Sequence, residues 1–165
     1  MIVSLDTASR ISKDCKKHNQ KVLFIHGCFD ILHMGHIQLF QYAKKYADNV
    51  IVAVNSDKSI KLNKGTNRPV NKLEYRLGQL DELQSISTVT YINNTLDFNT
   101  VKAETFFRNL ESSILPDYIL TCPTNDIYYE QKKKRLDDLG IELLSFKKKV
   151  NTSTSNIVEK LMLAS

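Results

Sequence analysis

Val22-Leu23-Phe24-Ile25-His26-Gly27 runs without a break into Cys28-Phe29-Asp30-Ile31-Leu32-His33-Met34-Gly35-His36. The first stretch is a short apolar, β-branched run of the kind that forms a fully buried strand. The apolar residues beyond His36 return at helical spacing over Ile37 to Tyr46. A buried strand feeding a helix through a loop is half of a parallel crossover unit.

The rest of the chain repeats that alternation. Strands are expected from Val50 (VIVAVNS), Thr88 (TVTYI), Tyr118 (YILTC) and Ile141 (IELLSF), with the first, second and fourth of the five fully buried. Amphipathic stretches over Thr7–His18, Lys72–Leu83, Thr100–Leu110, Asp126–Leu139 and Thr154–Leu163 are expected as helices covering both faces of the sheet. The fold class that follows is α/β: one Rossmann-like domain spanning residues 1–165, with a five-stranded parallel sheet between helical layers. Lys58–Val70 is read as a long, polar, basic connection, and a loop of that length inside a compact domain is often functional.

At 165 residues the chain suits one core, and 42% hydrophobic with 25% charged residues is ordinary for a globular protein. A formal net charge of +5 favours an anionic partner without choosing among phosphates, nucleic acid and acidic membrane. Cys15, Cys28 and Cys122 are odd in number and lack metal-ligand pairing, so neither disulfides nor a zinc site is indicated. No apolar run is long enough to span a bilayer, and a cytoplasmic location is expected.

In a doubly wound sheet, ligands bind at the carboxyl ends of the strands where strand order reverses. The loop after the first strand is therefore the expected site. Gly27 lets backbone approach a ligand, and the helix that follows offers unpaired N–H groups to a phosphate. His33 and His36, three apart, can face one side, with Gly35 leaving room between them. Spacing alone fits a surface histidine beside a helix-capping one equally well. Zinc on this pair would need further ligands that His18 and Cys28 do not obviously supply, so no metal site is expected. The absence of G-x-G-x-x-G argues against a dinucleotide-dependent oxidoreductase.

GCFDILHMGH resembles the signature of the cytidylyltransferase-like nucleotidyltransferases, which carry H-x-G-H after the first strand. The resemblance continues through VAVNSD (Val52–Asp57), KGTNRPVN (Lys64–Asn71), Glu74 and Arg76 to STS (Ser153–Ser155), almost the whole chain. The middle segment is most similar to the D-glycero-β-D-manno-heptose 1-phosphate adenylyltransferases. Glycerol-3-phosphate cytidylyltransferases share the histidine and serine-threonine elements but match that segment less well. The resemblance implies transfer of a nucleotidyl group, expected from ATP, to a sugar phosphate with release of pyrophosphate. CTP with a polyol phosphate is the alternative, and a non-catalytic nucleotide-binding module an alternative of another class.

The resemblance also implies the roles. His33, His36 and Lys64 are expected to be catalytic. Gly27, Cys28, Phe29, Gly35, Asn55, Asp57, Ser153, Thr154 and Ser155 are expected around the nucleotide, and Asp30, Lys61, Arg68 and Arg76 around substrate or phosphate. Mg2+ is expected to arrive mainly on the triphosphate. The expected partners are a nucleoside triphosphate, a phosphorylated small-molecule acceptor and a second copy in a homodimer, with no nucleic acid and no membrane. Two segments depart from the pattern. Thr121–Asp126 replaces a lysine and two glycines ahead of an acidic residue, and Lys147–Thr152 replaces an Arg-Thr-x-Gly-Ile lead. The first leaves base and acceptor choice open; the second puts lysine charge where arginine would bond at two points.

Overall fold

Strand β1 (Val22–Gly27) explains the layering. Its side chains alternate across the sheet, as strand geometry requires. Val22 and Phe24 enter one core cluster with Ala8, Phe107 and Leu136. Leu23 and Ile25 enter the other with Phe40, Leu77 and Leu80. The central strand is thus apolar on both faces because both faces are covered.

The computed structural model describes residues 1–123, 126–147 and 157. In chain order they form α1 (Leu5–Lys17), β1, α2 (Met34–Ala43), β2 (Asn49–Asn55), α3 (Asp57–Lys64) and α4 (Leu73–Asp81). There follow β3 (Thr88–Ile92), α5 (Val101–Ile114), β4 (Tyr118–Thr121), α6 (Tyr129–Leu139) and β5 (Glu142–Ser145). The five strands are parallel in the order β3-β2-β1-β4-β5. Helices α1, α5 and α6 supply one core; α2 and α4 supply the other. Strand order reverses between β1 and β4, where their carboxyl ends splay and open a crevice.

The α/β class and all five expected strands are present, the strand edges differing by a residue or so. Among the described residues no helix is long and apolar enough to cross a membrane. Of the differences from the expected helices, two have local causes. α2 starts at Met34 rather than Ile37, because its first turn, Met34-Gly35-His36, adds little to the apolar face that marks the later turns. The stretch expected as a connection from Lys58 begins with a helix, α3, whose start is fixed by the Ser56 hydroxyl accepting from the Ser59 amide. α6 starts at Tyr129 rather than Asp126. The expected terminal helix over Thr154–Leu163, and with it Ser153, Thr154 and Ser155, lies outside the described residues.

Candidate functional site

Gly27 ends β1 under the ring of Phe29, and a Cβ at Gly27 would stand 3.0 Å from Phe29 Cζ. Phe29 is buried and held at φ 46°, a left-handed conformation that a bulky residue adopts only where its surroundings impose it. Its ring packs on Phe40 and meets His36 edge-on, each with centroids 5.4 Å apart. A side chain at Gly27 would therefore press on this ring, which would have to give by a few tenths of an ångström.

Immediately after this bend, His33 takes the N-cap position of α2 in extended conformation, and its side chain makes no capping hydrogen bond to the helix. That removes the helix-capping role as the reason for His33. The two imidazoles stack, centroids 3.8 Å apart and planes 16° from parallel. Both line a cavity of about 580 Å³ at the switch point, together with Gly27, Cys28, Phe29 and Gly35. The first-turn amides of α2 and its positive dipole end belong to the same wall.

Cationic residues reach this wall from the segment after β2. Lys64 and Arg68 line the cavity, with Asn55 and Asn63 beside them. Asn55 Oδ1 is buried without a hydrogen-bond partner among the described residues. Arg68 Nε donates to Asp30 Oδ2 at 2.6 Å, and the amides of Val70 (3.0 Å) and Asn71 (2.8 Å) donate to the same carboxylate. Burial works against the charge of Asp30, but these amides and Arg68 outweigh it and hold the carboxyl below its ordinary value. Asp30 thus fastens the basic segment to the histidine loop. Asp30, expected at substrate or phosphate, lines the cavity with its carboxylate engaged by these donors.

Three expected phosphate or nucleotide residues, Lys61, Arg76 and Asp57, are not among those lining the cavity. Lys61 is exposed and is not part of the lining. Arg76 is wholly buried. Its guanidinium donates to Cys28 O (2.6 Å), Asn71 O (3.0 Å), Asn55 O (2.9 Å) and Asp57 Oδ1 (2.6 Å). Asp57 is thereby tied to Arg76 and to the Leu73 amide. Arg76 and Asp57 pair with each other, Arg76 wholly buried and the Asp57 side chain 41% exposed. Arg76 also joins the loop after β1 to the end of β2, the start of α3 and the segment before α4.

The opposite half of the cavity is formed largely by residues that no motif marks. His26, Glu104, Phe107, Lys132 and Arg135 line it, with Thr121 and Cys122 from the atypical segment. Lys132 Nζ pairs with Asp126 Oδ2 at 2.5 Å, and Thr121 donates to the same oxygen. Burial opposes ionisation of Asp126, yet Lys132 and Thr121 keep its carboxyl below its usual range. Burial lowers the pKa of His26 well below the ordinary value, and the charges of Lys132 and Arg135 lower it further, so its imidazole is neutral. In sequence, Lys132 and Arg135 sit within QKKKRL, where nothing separates them from Lys133 and Lys134. Lys147, at the start of the second departure, is exposed.

The cavity therefore joins two chemistries across the sheet edge. One wall gathers an imidazole stack, a helix N-terminus, Lys64 and Arg68, which suits a polyphosphate. The other is a buried network of paired charges.

A family model described as cytidylyltransferase-like matches residues 24–160. The chain is 32% identical over 160 residues to the Bifunctional protein HldE of Wolinella succinogenes, covering 97% of this chain and 31% of that one. It is 36% identical over 152 residues to the Bifunctional protein HldE of Haemophilus influenzae (strain PittGG), covering 90% of this chain and 29% of that one. It thus spans less than a third of the length of either relative. A pantoate-beta-alanine ligase from Francisella tularensis, crystallised with a βγ-ATP compound and beta-alanine, superposes with a TM-score of 0.68 at 16% identity. That superposition covers 99% of this chain and 77% of the ligase, and shows a shared fold.

Proposed function

This chain belongs to the cytidylyltransferase-like family and is a nucleotidyltransferase, and on that premise we propose that it transfers AMP from ATP to the phosphate of a heptose 1-phosphate or similar sugar 1-phosphate, releasing pyrophosphate. The observation that carries this reading is the stacked His33–His36 pair at the N-terminus of α2, inside a cavity bordered by Lys64 and Arg68. The sugar-phosphate branch is supported by the KGTNRPVN segment, which delivers Lys64 and Arg68, and by the similarity to the HldE proteins.

The attacking group is an acceptor phosphate oxygen that is already ionised near neutral pH, so no strong general base is required. The protein's tasks are in-line positioning and stabilisation of charge on the α-phosphate and leaving pyrophosphate. His33, His36 and the first amides of α2 face the α-phosphate. Lys64 and Arg68 take the leaving group. Mg2+ enters with the triphosphate as part of that substrate. Of the carboxylates lining the cavity, Asp30, Asp126 and Glu104 are each engaged by protein donors.

Pyrophosphate release across ATP, CTP, GTP and UTP, each with sugar 1-phosphates and with glycerol phosphate, tests the reading. The expected outcome is a preference for ATP with a heptose 1-phosphate or similar sugar 1-phosphate. Preference for CTP with a polyol phosphate would overturn the branch, and no turnover with any pair would overturn the enzymatic assignment.

A further inference from the structure

The half of the cavity between α5 and α6 holds charged groups that phosphate transfer does not use. Arg135, 4% exposed, grips Glu111 with Nε at 2.6 Å and Nη2 at 2.9 Å, and its Nη1 reaches Glu104. Glu111 is wholly buried, whereas the Glu104 side chain is 39% exposed at the cavity wall. On the floor, His26 stacks on Phe107 with centroids 4.6 Å apart, and its Nε2 is buried without a hydrogen-bond partner among the described residues. Strand alternation puts His26 and Thr121 on this face and Ile25 and Leu120 on the other, where Leu39 and Phe146 complete an apolar slot.

The charge balance separates this chamber from the phosphate wall. At the cavity wall Lys132 and Arg135 are matched by Asp126 and Glu104, while Glu111 is wholly buried behind Arg135. A phosphate here would meet cations that are already paired. A hydroxyl group would meet acceptor oxygens: an ionised carboxylate only accepts, and one oxygen pair can serve two neighbouring hydroxyls. The half-buried ring of Phe98 supplies an apolar wall beside them.

We propose that the body of the acceptor, a hydroxyl-rich sugar without a second phosphate, binds in this chamber, with Glu104 accepting hydrogen bonds from its hydroxyls. The assignment rests on the sugar-phosphate reading above and adds where the sugar lies and what selects it. Arg135 acts as a positioning residue, holding Glu104 through a guanidinium that Glu111 anchors from behind.

The test compares wild type with Glu104→Gln in steady-state kinetics, using ATP with a sugar 1-phosphate and with the same sugar carrying a second phosphate at its far end. Glu104 is half-buried near the start of α5, and Arg135 keeps Glu111 in the variant, so thermal melting is expected to stay near that of wild type. Loss of a hydrogen bond to a charged acceptor is expected to raise the acceptor KM about tenfold or more, with the ATP KM within about twofold. Wild type is expected to discriminate strongly against the bisphosphate, and the variant less so. An acceptor KM left unchanged in Glu104→Gln, while wild type turns over the sugar 1-phosphate, overturns this inference alone. Failure of wild type to use any sugar 1-phosphate overturns both it and the reading beneath it.

Discussion

The Arg76 guanidinium, fully buried on α4, donates to the main-chain oxygen of Cys28 at 2.6 Å, so a residue not among those lining the cavity carries the loop that leads to the histidines. The same group holds Asn55 O, Asn71 O and Asp57. Four chain segments around the site thus share one cation.

Removing that cation leaves three main-chain oxygens without their donor, while Asp57, 41% exposed, stays solvated. Arg76→Met is expected to cost about 3 kcal/mol, mainly from those unsatisfied acceptors. Arg76→Lys recovers only part, since an ammonium cannot reproduce the planar fork that spans these oxygens. Urea denaturation of both variants checks this. A loss below about 1 kcal/mol for Arg76→Met would show that the segments hold their positions without it.

Much of the architecture is legible in the sequence, because buried parallel strands announce themselves as apolar runs and amphipathic helices as periodic ones. The histidine wall was legible for another reason: strand, glycine and H-x-G-H lie within one short stretch, so local order carries spatial order. The opposite wall has no such economy. His26 is flanked by Ile25 and Gly27 and reads as part of a strand, while Glu104 and Arg135 lie 31 positions apart on different helices and meet only through folding. Arg76 shows the converse limit. Its place in an E-x-R element suggests a phosphate ligand, but its burial depends on what surrounds α4, which spacing does not encode. α3 was hidden because Ser56 reads equally as the last residue of a strand and as a helix cap.

His26 gives the fold a pH dependence with a definite sign. Burial lowers its folded pKa well below 6.5, and Lys132 and Arg135 lower it further. As pH falls below 6.5, an unfolded chain takes a proton at His26 that the folded chain refuses, so stability falls with pH through this window. The slope from this group is at most about 1.4 kcal/mol per pH unit. His26→Asn, which cannot titrate, is expected to lose that part of the slope between pH 6.5 and pH 5, as read from denaturation midpoints at half-unit steps. Parallel curves for the two proteins would mean that His26 titrates alike in both states.

The stacked histidines separate a catalytic pair from two surface side chains. Their rings lie 3.8 Å apart at a helix N-terminus, so both address one small volume, and each is packed by its neighbour, with Phe29 against His36. If that volume holds the α-phosphate, the imidazoles are set in place before charge develops, and their contribution grows toward the transition state. His33→Ala and His36→Ala are each expected to lower single-turnover product formation by about a hundred- to a thousandfold, equivalent to roughly 3–4 kcal/mol. Nucleotide affinity is expected to change far less, because ground-state binding also draws on Lys64, Arg68 and the α2 amides. Both variants are expected to stay folded, which thermal melting checks. Near-normal turnover in either folded variant would remove that histidine from the chemistry, and a loss matched by an equal loss of nucleotide affinity would make it a binding group only.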